Sequence, residues 1–161
     1  MTLLALLTAY GAECAETQTN EDLVVALSDA MQAYGELDRS GFEAGLRKAK
    51  ATVECLDEVI ARANAAELHR ATGLSAFLAR DEALAKTRFA AARALEPAYE
   101  LPDTLVPEGN PVRTLYTELD PADSPIETLP LPVDGSVRLD GAPSRDRRTL
   151  LPVVFQRLDG S

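Results

Sequence analysis

Tryptophan is absent from this 161-residue chain, and it holds only four phenylalanines and four tyrosines. A core has to be built from Ala, Leu and Val, and such cores come from closely packed helices, because small side chains let helix axes approach. Histidine occurs once, as His69. Any Ser-His-Asp or Cys-His arrangement would have to pass through it, and its place on a helical pattern reads as a satisfied structural residue. Cysteine occurs twice, at Cys14 and Cys55, a spacing that fits neither a zinc site nor a CxxC redox pair. No glycine-rich phosphate loop, metal motif or nucleophile elbow is present. The expectation is therefore no catalytic residues, no metal and no cofactor.

Positive charge is also short. Sixteen Lys and Arg face 26 Asp and Glu, for a net charge of −10. An acidic surface repels a phosphate backbone and has little attraction for anionic lipid, so nucleic acid is not an expected partner. The longest apolar run, Thr2 to Ala9 (TLLALLTA), is far too short to cross a bilayer, and no transmembrane span is expected. That run resembles the h-region of a secretory signal peptide, with Ala9-Tyr10-Gly11 as a small-x-small site that a signal peptidase could cut before Ala12. Against it, no Lys or Arg precedes Arg39; the alternative is a short helix packed on the domain. Export to the periplasm or cell envelope is the expected location, with the cytoplasm as the alternative. Export implies a Cys14–Cys55 bridge that straps the N-terminus to the second helix. In the cytosol the same pair would be two buried thiols.

What is there is helical. Leu23, Leu27, Met31 and Tyr34 form a stripe at helical spacing after Asn20, a candidate cap. Gly35 to Arg39 is a break. Ser40 with Glu43 reads as a capping box for a second helix with the stripe Phe42, Leu46, Ala49, Val53, Leu56 and Ile60. Glu54, Asp57 and Glu58 on its far end read as a solvated face. Asn64 with Glu67 suggests a third helix, Ala79-Arg80-Asp81 a turn, and Pro97 the end of a fourth helix. Asn110-Pro111 opens a short fifth helix over Val112 to Leu119.

Within the stretch Ala66 to Tyr99, Gly73, Ala85, Phe89, Ala92 and Pro97 fall at the small, large and breaking positions of a helix–turn–helix unit of about 34 residues. The stretch resembles a tetratricopeptide repeat (TPR). It departs from that pattern at His69, Thr72 and Ala76, where bulky residues are usual. The resemblance implies a mainly α fold of antiparallel helical hairpins, about four to five helices in all, acting as an interaction scaffold. Its concave face is lined by the first helix of each pair. Carried over, this directs Glu67, Arg70, Leu74, Phe77 and Leu78 toward a groove for a protein or peptide partner. Leu74 and Phe77 would anchor an apolar side chain, and Arg70 would meet a carboxylate. Repeat arrays need about three units for stability, so the tail or a partner must close this one.

Residues 1–19 thus read as a signal-peptide remnant and strap, and 20–119 as the TPR-like domain. Residues 120–135 read as a proline-rich acidic linker, and 136–161 as a small β tail. In the tail Val137-Arg138-Leu139 alternates, Asp140-Gly141 is a turn signal, and Val153 to Phe155 is a second strand. This strand-DG-strand pattern resembles the PEGA-type modules of bacterial envelope proteins. A lone hairpin is marginal in water, so it must pack on the helices or on a partner. Arg145, Arg147 and Arg148 read as a solvated loop or an acidic-partner contact. The functional expectation is a non-catalytic interaction or scaffold module exported to the bacterial envelope. The alternative is a structural subunit of an envelope assembly that docks through its β tail. Oligomeric state is not legible.

Overall fold

The structure, a computed structural model, describes residue 14 and residues 16–158. The signal-peptide reading of the apolar run falls outside the described residues. Among the described residues five helices carry the fold: α1 (Asn20–Gly35), α2 (Arg39–Glu54), α3 (Arg62–Leu78), α4 (Glu82–Leu95) and α5 (Pro111–Glu118). Helices α1 and α2 form one hairpin and α3 and α4 a second, with α5 laid on α4. A short β tail follows, so the chain is mainly α, as its periodicity predicts.

The helix stripes build one core. Leu23, Leu27, Ala30, Phe42, Leu46, Ala49, Leu74, Ala85 and Phe89 are buried in a single cluster with Val112, Leu115 and Tyr116 of α5. Small residues set its tightness. A Cβ placed on Gly73 of α3 would lie 2.5 Å from Cε1 of Phe89 on α4, so the missing side chain is the space the ring fills. Ala85 and Ala92, a turn to either side of the ring, are fully buried.

The helix starts differ from the sequence reading at three places. Thr19, not Asn20, caps α1: its side chain accepts from the Asp22 amide, and the Asp22 carboxylate accepts from the Thr19 amide. Asn20 spans elements instead, donating to the Val59 carbonyl and accepting from the Ala61 amide. Asn64 lies inside α3 and donates to the Asn20 carboxamide at 3.0 Å. Asp38, not Ser40, caps α2, and Glu43 pairs with Arg39. Asx side chains suit caps and cross-braces equally well, and spacing along the chain cannot separate the two uses. The Asn110 cap and the Pro111 start are as expected, and Asp81, at the end of the expected turn, caps α4.

The strap is present. A disulfide joins Cys14 to Cys55, and beside it Gln18 pairs with Leu56, its amide donating to the Cys55 carbonyl at 2.9 Å.

The segment after α5 is more ordered than a linker. A 3-10 turn (Pro121–Asp123) leads into β1 (Ile126–Thr128), then β2 (Ser136–Leu139), β3 (Asp146–Arg148) and β4 (Phe155–Leu158). The strands pair alternately: β1 with β3, and β2 with β4, both antiparallel. The arginines of the expected loop do the pinning. Arg147 pairs with Glu127 at 2.9 Å, Arg145 donates to the Leu129 carbonyl and Arg148 to the Ser124 carbonyl.

Candidate functional site

Two places gather chemistry-bearing side chains. The first is a groove of about 470 Å³ between the two leading helices, α1 and α3. Val24, Leu27, Ser28 and Met31 line it from α1, and Ala63, Asn64, Glu67 and Arg70 from α3. Its apolar wall is open to water, since Val24 is 49% exposed.

Of the five residues that the sequence directs to such a groove, Glu67 and Arg70 are there. Leu74 is fully buried in the core with Leu23 and Leu27, so it presents nothing to a partner. Phe77 is half-buried against the same core. Leu78 lines a different cleft, of about 270 Å³, with Tyr34, Leu37, Phe42 and Leu105. The five share one helical stripe, and in a two-hairpin body most of that stripe is consumed by the core.

Arg70 is held mainly by partners within the chain. Its side chain is 3% exposed and bonds Glu67 at 2.6 Å and Glu96 at 2.8 Å. The guanidinium carbon sits 3.7 Å above the centre of the Tyr99 ring, a cation–π contact. Burial opposes the charge, but Glu67 and Glu96 outweigh it and raise the guanidinium pKa above its ordinary value. Burial likewise raises the Tyr99 and Tyr116 hydroxyls. One guanidinium nitrogen, Nη1, is buried without a hydrogen-bond partner, and a partner carboxylate reaching it would meet Glu67 and Glu96 already in place.

The second place is the single histidine. His69 is fully buried on α3. Its Nε2 lies 3.0 Å from Asp140 Oδ1, and its Nδ1 lies 3.3 Å from Arg88 Nη1. Arginine can only donate, which makes Nδ1 the acceptor and Nε2–H the donor to Asp140. Burial lowers the Arg88 pKa, and Asp140 partly offsets that.

Asp140 comes from the tail, on a tight turn whose central residues, Asp140 and Gly141, have φ of 50° and 82°. Both values are positive, as the Asp-Gly signal predicts. The same carboxylate oxygen accepts from the Val154 amide at 2.8 Å. A Cβ on Gly141 would lie within bonding range of the Ile60 carbonyl oxygen, so only glycine lets the turn seat on the α2–α3 connection. Gln156 completes the clasp, accepting from the Ile60 amide and donating to the Glu58 carbonyl.

An Asp–His pair is also the orienting half of a nucleophilic triad. Here both ring nitrogens are committed and the imidazole is sealed from solvent, so the cluster is a latch that ties the tail to the helices. Asp140→Ala would leave His69 and the Val154 amide without their partner. An orphaned buried polar group costs about 1–3 kcal/mol, and the expected loss is roughly 2–4 kcal/mol by urea denaturation. A loss within 0.5 kcal/mol, the range of ordinary surface changes, would show that the turn is not held there.

Sequence reasoning identified His69 as structural but missed Asp140 as its partner. The only local signal was the Asp-Gly turn itself. It also missed the α1 wall of the groove, because Val24 reads as an off-stripe residue. Glu54, Asp57 and Glu58 are exposed. Among the described residues, no group of three or more His, Cys, Asp or Glu is placed to hold a metal ion, and no helix is long and apolar enough to cross a membrane.

Comparison of the chain with protein-family models, with curated proteins and with solved structures found no match.

Proposed function

We propose that this chain is a non-catalytic interaction module, TPR-like in plan, that holds a segment of a protein partner between its leading helices. The observation that carries the reading is the open groove between α1 and α3, with half-exposed Val24 on one wall and Glu67 on the other. Supporting it, the one histidine is committed to the latch, and the tail closes the helical body as a short array requires. The disulfide fits an oxidising compartment, and the proposal places the module in the bacterial envelope.

Ser28 is exposed on the groove's rim, and Ser28→Trp would fill the groove without touching the core. Selection of random displayed peptides on the oxidised full chain is expected to enrich sequences that lose binding to Ser28→Trp. Enriched peptides that bind Ser28→Trp as well as the parent chain would remove the groove from the proposal.

The alternative, docking of the chain into an assembly through its tail, is supported by one feature. Leu131 is 75% and Val133 96% exposed in the stretch between β1 and β2. Ile126, Leu150 and Phe155 are also more than half exposed, whereas Leu151 packs on Ala90 and Ala91, and Val154 on the main core.

A further inference from the structure

We infer that the segment held between α1 and α3 is basic and apolar: aliphatic side chains flanked by lysine or arginine. This rests on the groove reading above and adds the chemistry of the occupant.

The charges around the groove carry the inference. Among the described residues, two lining side chains are ionisable, Glu67 and Arg70. The Arg70 charge is enclosed by Glu67 and Glu96, one cation against two carboxylates, so the pair of walls is anionic at its centre. Helix α1 carries Glu21, Asp22 and Asp29 and no Lys or Arg. Glu21 lies one turn before Val24, on the same face. At the other end Gln32, a lining residue, donates to Glu36 at 2.9 Å. Carboxylates therefore bracket an aliphatic strip of Val24 and Met31, with Leu27 buried beneath it.

At 1.5 Å per residue, Glu21 and Glu36 stand about 22 Å apart along α1. An occupant that matches both ends carries basic groups at about that separation with aliphatic residues between. An acidic segment would meet like charge along the whole length, which costs affinity and association rate. Among the described lining residues its one cation would be Arg70, whose charge is already faced by Glu67 and Glu96. The arrangement selects against carboxylate-bearing occupants as much as it selects for basic ones.

The test uses the oxidised full chain and two synthetic peptides measured by fluorescence anisotropy. One has lysines about seven residues apart, roughly 22 Å in an extended chain, with Leu, Ala and Val between them; the other has glutamates in place of the lysines. The lysine peptide is expected to bind, more weakly as salt rises, and the glutamate peptide not to bind. Glu21→Lys combined with Glu36→Lys is expected to weaken the lysine peptide about tenfold. Glu108→Lys combined with Asp123→Lys changes net charge equally at exposed sites outside the groove lining and is expected to leave binding within about twofold.

Equal binding of the two peptides, no binding of either, or an equal loss in both paired variants overturns the inference. If Ser28→Trp still blocks displayed peptides in any of those cases, the groove reading survives and only the charge assignment falls. If the lysine peptide binds Ser28→Trp as well as the parent chain, both fall together.

Discussion

Phe89→Ala is expected to destabilise the chain by about 3–5 kcal/mol, the range for emptying a fully buried aromatic site. Phe89 has no exposed surface. Its ring fills the gap left by Gly73 on α3 and stands 5.4 Å, centre to centre, from the Tyr116 ring of α5. One side chain thus joins α3, α4 and α5, and its neighbours on α4 are alanines that cannot move in to fill the void. Small domains hold roughly 5–15 kcal/mol in all, so the loss takes a large share. Urea denaturation followed by circular dichroism measures it, and a loss under 1 kcal/mol would place the ring outside the core. The contact with Gly73 supplies an internal check. Gly73→Ala alone overpacks the ring and is expected to cost roughly 1–3 kcal/mol. In the Phe89→Ala background the added methyl enters the vacated space, so the two costs should be clearly non-additive.

Reduction of the Cys14–Cys55 bridge is expected to cost about 4 kcal/mol, from the chain-entropy model applied to a loop of this size. The two cysteines are 41 residues apart, and the loop they close contains all of α1 and α2. Without the bridge, the strap is held by the Gln18–Leu56 pairing and by the bonds of Asn20 to the α2–α3 connection. Those bonds form only in the folded state, whereas the disulfide acts by restricting the unfolded chain, so one does not replace the other. Matched denaturation of oxidised and reduced protein tests this, and coincident midpoints would contradict it. Mass spectrometry of unreduced, alkylated protein from the native compartment checks the location: two freely alkylated thiols there would speak against export.

The hairpin of α3 and α4 was legible almost residue by residue. Gly73, Ala85, Phe89 and Ala92 meet because the helical period places them, and that period is a local property of the backbone. The break at Ala79-Arg80-Asp81 was legible for the same reason. The positive φ values at Asp140 and Gly141 follow from side-chain chemistry at those two positions. The starts of α1, α2 and α3 were misread: Asn20 and Asn64 took partners far along the chain, and Ser40 donates to its near neighbour Asp38, which is itself the cap.

The candidate site divides along the same line. Glu67 and Arg70 were placed correctly on a leading helix, but whether a side chain on that face meets solvent or core depends on what packs across it. Leu74 went to the core, and Arg70 went to Glu67, Glu96 and Tyr99. The tail shows the limit most clearly. Strand-forming stretches were visible, and Val137 to Leu139 lies within β2. Val153 and Val154 fall outside β4 because Asp140 takes both the amide and the carbonyl of Val154.

By itself the sequence determined the helical composition and the tight contact at Gly73. These follow from residue type and short-range spacing. Tertiary structure alone decided that Asp140 meets His69 across 71 residues, that β1 finds β3 rather than β2, and that a groove is left open beside α1. Each of these depends on groups far apart in the chain, and only packing brings them into range.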